Sequence, residues 1–196
     1  MNNSTEQDKV EKDRTFIGIK LTEQALAFLQ SFKQRHAKAP WAKQIRWTKD
    51  ANIHITVRFL GDLTPEQIEQ VKTGLSMLLE NQTAFEVIMT APQPFPSIKK
   101  ARMLASLIHK NQVLQQLAED IEKIAVEAGV APEERPFKGH ITVGRFRKRV
   151  KGLEELLAIA DTLTIPVDNM VFFKSDLKPT GAEYTEIARF VLQTEK

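Results

Sequence analysis

The tetrapeptide His-Ile-Thr-Val occurs twice in this chain, at His54-Ile55-Thr56-Val57 and at His140-Ile141-Thr142-Val143. The chain holds four histidines, and two of them sit in this repeated frame. Strand residues two apart share a face, so each copy sets an imidazole beside a hydroxyl. The intervening Ile and Val point the other way, toward a core. An imidazole titrates near neutrality and can give or take a proton. Two of them on opposite sides of one phosphorus would supply both halves of a phosphodiester cleavage. One takes a proton from the attacking oxygen, and the other gives a proton to the leaving oxygen. The threonine hydroxyls could donate to the non-bridging oxygens, where negative charge gathers. The motifs are identical in residue type, so their chemistry alone leaves open which histidine is acid and which is base.

Metal binding is the competing use of paired histidines. Neither motif carries Asp or Glu two or four residues after its histidine, and the chain has no cysteine. Threonine is a poor zinc ligand, so no metal and no cofactor are expected. Arg145 follows His140 by five residues and offers a forked, permanently charged donor. On a regular strand that odd offset points it away from His140, so its use requires a bend or strand end at Gly144. Phe59 holds the same place after His54, and with the same bend it could stack on a nucleobase. On an unbent strand Arg58, not Phe59, shares the face of His54. His36 at a helix end and His109 at a strand-to-helix junction read as structural.

The elements that must hold these groups are legible in outline. Thr15 to Lys20 reads as a strand. Thr22 caps a helix from Glu23 to about Arg35. Ile53 to Phe59 is the strand of the first motif, followed by a turn at Gly61-Asp62. Thr64-Pro65-Glu66-Gln67 opens a second helix with a capping box, ending near Glu80. Phe85 to Thr90 and Met103 to Ile108 are strands, separated by an extended, exposed loop from Pro92 to Pro96. Asn111 to Ala128 is the clearest helix, with Gly129 just past its end. The strand of the second motif is followed by a short helix over Leu153 to Ile159. Leu163 to Val167, Met170 to Phe173 and Glu186 to Leu192 close the chain as strands. Consecutive strands without crossover helices predict an antiparallel α+β protein. A strand–helix–strand–helix unit with a His motif in each half predicts two pseudo-symmetric lobes, helices outside and a central cleft between.

Composition bounds the rest. The 196 residues suit one domain, with 42% hydrophobic residues and a net charge of +3. Met1 to Arg14 is polar and mixed in charge and reads as a frayed tail ahead of a single bilobal domain over 15–196, with no secretory signal. No run of eighteen apolar residues occurs, so no membrane partner is expected. A chain without cysteine fits a reducing cytoplasm. Lys99, Lys100 and Arg102 cluster, and Arg145, Arg147, Lys148, Arg149 and Lys151 follow the second motif, where they could meet phosphate.

The two motifs, the following Phe59-Leu60-Gly61-Asp62, and Arg135-Pro136-Phe137-Lys138-Gly139-His140 through Gly144-Arg145 resemble the 2H phosphoesterases. Within them the likeness is to the bacterial RNA 2′,3′-cyclic phosphodiesterases, the LigT-like or ThpR-like proteins. It runs from Phe16 to Leu192 and includes the segment Phe172 to Gly181 closed by Tyr184. The resemblance implies a bilobal α+β fold that opens 2′,3′-cyclic phosphates at RNA ends without metal, leaving 2′-phosphomonoesters, and in related enzymes joins RNA halves through 2′–5′ linkages. By that resemblance His54 is the proton donor to the leaving 3′ oxygen and His140 the proton acceptor that activates water. Thr56 and Thr142 hold phosphate oxygens, Arg145 binds substrate, and Ser175 and Tyr184 join the site by family position. The expected partner is RNA with a cyclic phosphate terminus, met by a monomer. One departure is Gly139, where the family usually has proline. Two other readings stay open: a phosphodiesterase for a small cyclic phosphate such as an ADP-ribose or nucleoside derivative, and a non-catalytic RNA-end-binding module.

Overall fold

The computed structural model describes residues 11–179 and 181–194. The first ten residues of the expected tail and Thr180 of the C-terminal segment lie outside the described residues. The elements in order are β1 (Asp13–Lys20), α1 (Glu23–Arg35), β2 (Ile45–Trp47), β3 (His54–Leu63), α2 (Pro65–Leu79), β4 (Phe85–Thr90) and β5 (Gln93–Phe95). Then come β6 (Met103–Leu107), α3 (Gln112–Glu127), β7 (His140–Phe146), β8 (Thr162–Val167), β9 (Asn169–Lys178) and β10 (Gly181–Val191).

The helices start where local chemistry says they should. The Thr22 hydroxyl accepts from the Ala25 amide at 3.3 Å. Thr64 and Gln67 exchange bonds of 3.3 and 3.1 Å, closing the capping box. Asn111 accepts from the Leu114 amide at 2.9 Å. Each bond satisfies an amide that the first helical turn leaves without a partner. Past α3, Gly129 turns the chain at a φ of 84°, a conformation that favours glycine.

The strands form an antiparallel eight-stranded sheet in the order β10-β9-β1-β3-β7-β6-β5, with β2 also paired to β7, while β4 and β8 pair separately. Two equivalent units build it. β1-α1-β3 and β6-α3-β7 are each an antiparallel strand pair bridged by a helix, and each delivers a His motif at the start of its second strand. After each unit the chain crosses over: β5 flanks β6, and β9 flanks β1. The sheet therefore reads β9-β1-β3 against β7-β6-β5, related by an approximate two-fold axis at the β3–β7 seam. One pair is recorded across that seam, Ile55 with Ile141. Both residues are fully buried. On the same side of the sheet lies the main core, where Ile17, Ile19, Val57 and Val143 meet Val71 and Leu75 of α2 and Leu117 and Ile121 of α3.

Four expectations are corrected. β1 takes in Asp13 and Arg14, assigned above to the tail, because they pair with Leu63 and Asp62. For the same reason Gly61-Asp62 lies within β3 rather than ending it. The Pro92 to Pro96 segment is extended but exposed only at Pro96: Gln93–Phe95 is a strand, and Pro92 and Pro94 are buried. β5 is the outermost strand of its lobe, so the missing Pro94 N–H costs little ladder bonding. The short helix after β7 is a 3-10 turn over Glu154–Ala158.

Candidate active site

An antiparallel register through Ile55 and Ile141 sets His54 across from Thr142 and Thr56 across from His140. All four face away from the main core and are partly exposed. The two-fold axis thus passes between two His/Thr pairs on one face of one sheet. The strands part on either side of the seam, which opens the face there.

Both rings are oriented alike. Nδ1 of His54 lies 2.8 Å from the Asn52 carbonyl, and Nδ1 of His140 lies 2.9 Å from the Lys138 carbonyl. A carbonyl only accepts, so Nδ1 carries a proton in each ring and Nε2 is the nitrogen free to exchange one. Nε2 of His54 meets the Thr56 hydroxyl at 2.9 Å. The Thr142 hydroxyl donates at 3.5 Å to Sδ of Met103, a weak acceptor that it can readily give up.

The two sites differ in their surroundings. His54 is enclosed by aromatic rings: Phe16 at 4.8 Å between centroids, Tyr184 edge-on at 5.3 Å and Phe173 at 6.1 Å. His140 stacks on the single ring of Phe95 at 5.1 Å. The enclosure of His54 has an electrostatic result. Burial lowers its pKa from the ordinary imidazole value, opposed by the hydrogen bond to the Asn52 carbonyl and reinforced by repulsion from His140. Asn52 itself is held by its side-chain amide, which donates to the Ala182 carbonyl at 2.7 Å and so ties His54 to β10.

The bend that Arg145 and Phe59 require is present in both lobes. β1 and β3 slip register between Ile17 and Gly18, leaving Val57 unopposed, and β6 and β7 slip between Leu104 and Ala105, leaving Val143 unopposed. These are equivalent bulges at the last residue of each motif. Past a bulge the faces exchange. Phe59 pairs with Phe16, and Arg145 with Met103, so both return to the side of the histidines. Arg58 turns away instead and binds Glu122 of α3 and the Ala131 carbonyl, the latter at 2.7 Å. It joins the first motif to the loop that leads into the second. Gly144 is required by this arrangement, since a Cβ there would stand 2.5 Å from Cγ2 of Ile45 on β2. Gly139, the family departure, packs on Ile108, whose Cβ would lie 3.0 Å from a Cβ at that position.

Ser175 and Tyr184 are direct cross-strand partners in β9 and β10, and Tyr184 reaches His54. His36 takes its expected structural place, with Nδ1 at 2.9 Å from the Phe32 carbonyl. The residues that sequence reading missed are the supports: Asn52, Phe16, Phe95 and Met103. Asn52 acts on His54 through its backbone carbonyl, which no side-chain pattern announces, and the other three come from strands distant in sequence.

A sheet with two His-x-Thr strands about a two-fold axis defines the two-histidine class of phosphoesterase. The model of the LigT like phosphoesterase family matches residues 19–104 and 108–184. The chain belongs to that family. A protein of Aquifex aeolicus named RNA 2′,3′-cyclic phosphodiesterase is 27% identical over 153 residues, covering 75% of this chain and 81% of that one. One of the same name from Thermotoga maritima is 25% identical over 177 residues, covering 87% and 91%. The crystal structure of E. coli LigT complexed with 3′-AMP superposes with a TM-score of 0.75 at 20% identity, covering 93% of this chain and 99% of that one. At that identity the likeness is one of fold. Among the described residues no helix is long and apolar enough to cross a membrane.

The lowered pKa of His54 has a measurable consequence. Below about pH 6.5 the unfolded chain protonates this imidazole before the folded protein does. Its contribution to stability is therefore complete above that pH and falls as pH drops toward the folded value. An anion at the site should reverse the shift. NMR titration of the His54 ring is expected to give a lower pKa in the free protein than in the unfolded chain, and a higher one with inorganic phosphate bound. An unchanged value on adding saturating phosphate would place the anion elsewhere.

Proposed function

We propose that the protein hydrolyses 2′,3′-cyclic phosphate ends of RNA to 2′-phosphomonoesters without a metal, using His54 and His140 as an acid–base pair. The observation that carries the reading is the matched orientation of both rings about the Ile55–Ile141 axis, each with Nδ1 held by a carbonyl, which leaves Nε2 as the nitrogen that exchanges a proton. The choice of substrate is supported by the relatives named RNA 2′,3′-cyclic phosphodiesterase.

In the reaction, water attacks phosphorus and loses a proton to Nε2 of His140. The bond from phosphorus to O3′ breaks, and Nε2–H of His54 protonates the departing oxygen. Exchange with solvent then resets both rings. Thr56 and Thr142 turn their hydroxyls from His54 and Met103 to the non-bridging oxygens, where they stabilise developing charge. His54 must be protonated to act as donor, and burial opposes this in the free protein. The phosphate's own charge supplies the compensation, so the donor is armed by the substrate. A ribose 5′-hydroxyl in place of water would give a 2′–5′ linkage by the same proton transfers.

Arg145 binds the substrate on the lobe of His140. Phe59, 56% exposed, offers a stacking face for the terminal base. Tyr184 and Ser175 line the side of His54 toward β9 and β10. The test is incubation with an oligoribonucleotide ending in a 2′,3′-cyclic phosphate, in EDTA. The expected product is a 2′-phosphate end. A cyclic end that persists, or one opened only when metal is restored, would refute the proposal.

A further inference from the structure

We propose that Arg46 and Arg145 form a second phosphate subsite, which takes the phosphodiester joining the terminal nucleotide to the one before it. This deepens the phosphodiesterase reading and rests on it: the preferred substrate is an oligonucleotide end rather than a cyclic mononucleotide.

The starting observation is a register. β2 pairs with β7 so that Arg46 lies directly opposite Arg145. Directly opposed residues of an antiparallel pair put their side chains on one face, and like charges so placed destabilise the pairing. Both arginines are exposed, and among the described residues neither forms an ion pair or side-chain hydrogen bond. Ten ion pairs form elsewhere among the described residues, so carboxylates are not scarce on this molecule. Among the described residues none lies within ion-pair distance of either guanidinium. Two adjacent guanidinium forks without a counter-charge are well formed to grip one phosphate from two sides.

The second observation is direction. Arg145 pairs with Met103, and Met103 accepts from the Thr142 hydroxyl, so the arginine pair shares the face of the catalytic groups. Arg145 stands three residues past Thr142, a separation of at most about 10 Å at the rise of a strand. Arg46 stands beside it on β2, which takes the edge of β7 that β3 occupies at Ile141, opposite β6. The pair is thus displaced from the place between the histidines and suits a neighbouring phosphate on the same chain. Gly144 secures this geometry, because only a residue without a side chain lets Ile45 bring β2 against β7.

The third observation is asymmetry. The two-fold axis relates Arg145 to Phe59, each at the equivalent place beyond its bulge. One flank of the site is cationic and the other aromatic. β2 pairs with β7 alone and has no counterpart beside β3. An RNA end has the same polarity, with a base to stack on one side and a chain of phosphates on the other.

The test compares two ligands that are not turned over, 3′-AMP and the dinucleotide ApA carrying a 3′-phosphate, by calorimetric titration at several salt concentrations. The wild type is expected to bind the dinucleotide about tenfold more tightly, an effect of the size that charge-assisted bonds provide. Arg46→Gln should abolish most of that preference and make the salt dependence of dinucleotide binding shallower by about 0.7 in slope, the contribution of one single-strand phosphate. Arg46→Glu should lower dinucleotide affinity further while raising Tm, because it turns a like-charged pair into an opposite one. An unchanged binding ratio in Arg46→Gln overturns the proposal. So does a fall of both Tm and ratio in Arg46→Glu, the mark of a purely structural residue. Hydrolysis of the corresponding cyclic phosphates is measured in parallel. Failure to cleave either one, with the binding ratio still dependent on Arg46, refutes the phosphodiesterase reading and leaves the subsite standing.

Discussion

Replacing His140 by alanine is expected to lower kcat on a cyclic-phosphate RNA end by about 10²–10⁴-fold, the usual contribution of a positioned acid–base group. The fold should survive. His140 contributes one hydrogen bond, to the Lys138 carbonyl, and one stacked contact, with Phe95. Together these are worth on the order of 1–2 kcal/mol. His54→Ala should cost a similar factor in rate and more in stability, because its ring is packed among Phe16, Phe173 and Tyr184. In the proposed reaction the two groups act on one phosphorus in one step, so the double variant should be little slower than either single one. Steady-state rates and calorimetric Tm on the three variants check this. Near wild-type turnover in His140→Ala would end the two-histidine mechanism. The pH profiles of the single variants then assign the roles: the variant lacking the donor loses the basic limb, and the one lacking the acceptor loses the acidic limb.

The second large effect falls on the seam. Ile141→Ala is expected to destabilise the fold by about 2–5 kcal/mol, the range for truncating a fully enclosed aliphatic side chain. Ile141 is fully buried and pairs with Ile55, which is equally buried, at the one recorded pair that joins the two lobes into a single sheet. The loss should be coupled. Truncating both residues should cost measurably less or more than the sum of the single variants, since they share one packing site. Activity should fall as well, because the seam sets the spacing of the two imidazoles. Urea denaturation of Ile141→Ala, Ile55→Ala and the pair measures the energies, with Leu177→Ala, 68% exposed, as the neutral reference. A loss below about 1 kcal/mol for Ile141→Ala would mean that the lobes are held by other contacts.

The bulges at Val57 and Val143 connect sequence and mechanism. On unbent strands Arg58 would share the face of His54, and Phe59 and Arg145 would face the core. One unopposed residue per strand exchanges them, and it does so at the same place in both lobes. Arg58 then becomes the link between β3 and the 131–133 segment, through Glu122, which also accepts from the Glu133 amide at 2.9 Å. The device that returns Phe59 and Arg145 to the face of the histidines thus also fastens the approach to the second motif.

The amino-acid sequence by itself determined whatever depends on a few neighbouring residues. The His-x-Thr pairs, the caps at Thr22, Thr64 and Asn111 and the stop at Gly129 are all local chemistry, satisfied within one turn or one strand. The α+β class and the duplicated halves were legible for the same reason, because each unit repeats its own local pattern. Only the tertiary structure decided what depends on pairing between distant segments. Three-residue strands such as β2 and β5 carry too little pattern to be read, and they exist because β7 and β6 offer open edges. A bulge is a mismatch between two strands and belongs to neither sequence alone, so the return of Phe59 and Arg145 to the site could be stated beforehand only as a condition. The opposition of Arg46 to Arg145 is a matter of register across about a hundred residues. The lowered pKa of His54 likewise depends on rings supplied by β1, β9 and β10. Residue types named the chemistry, and long-range registry set its direction, because solvation and orientation are properties of the assembled face.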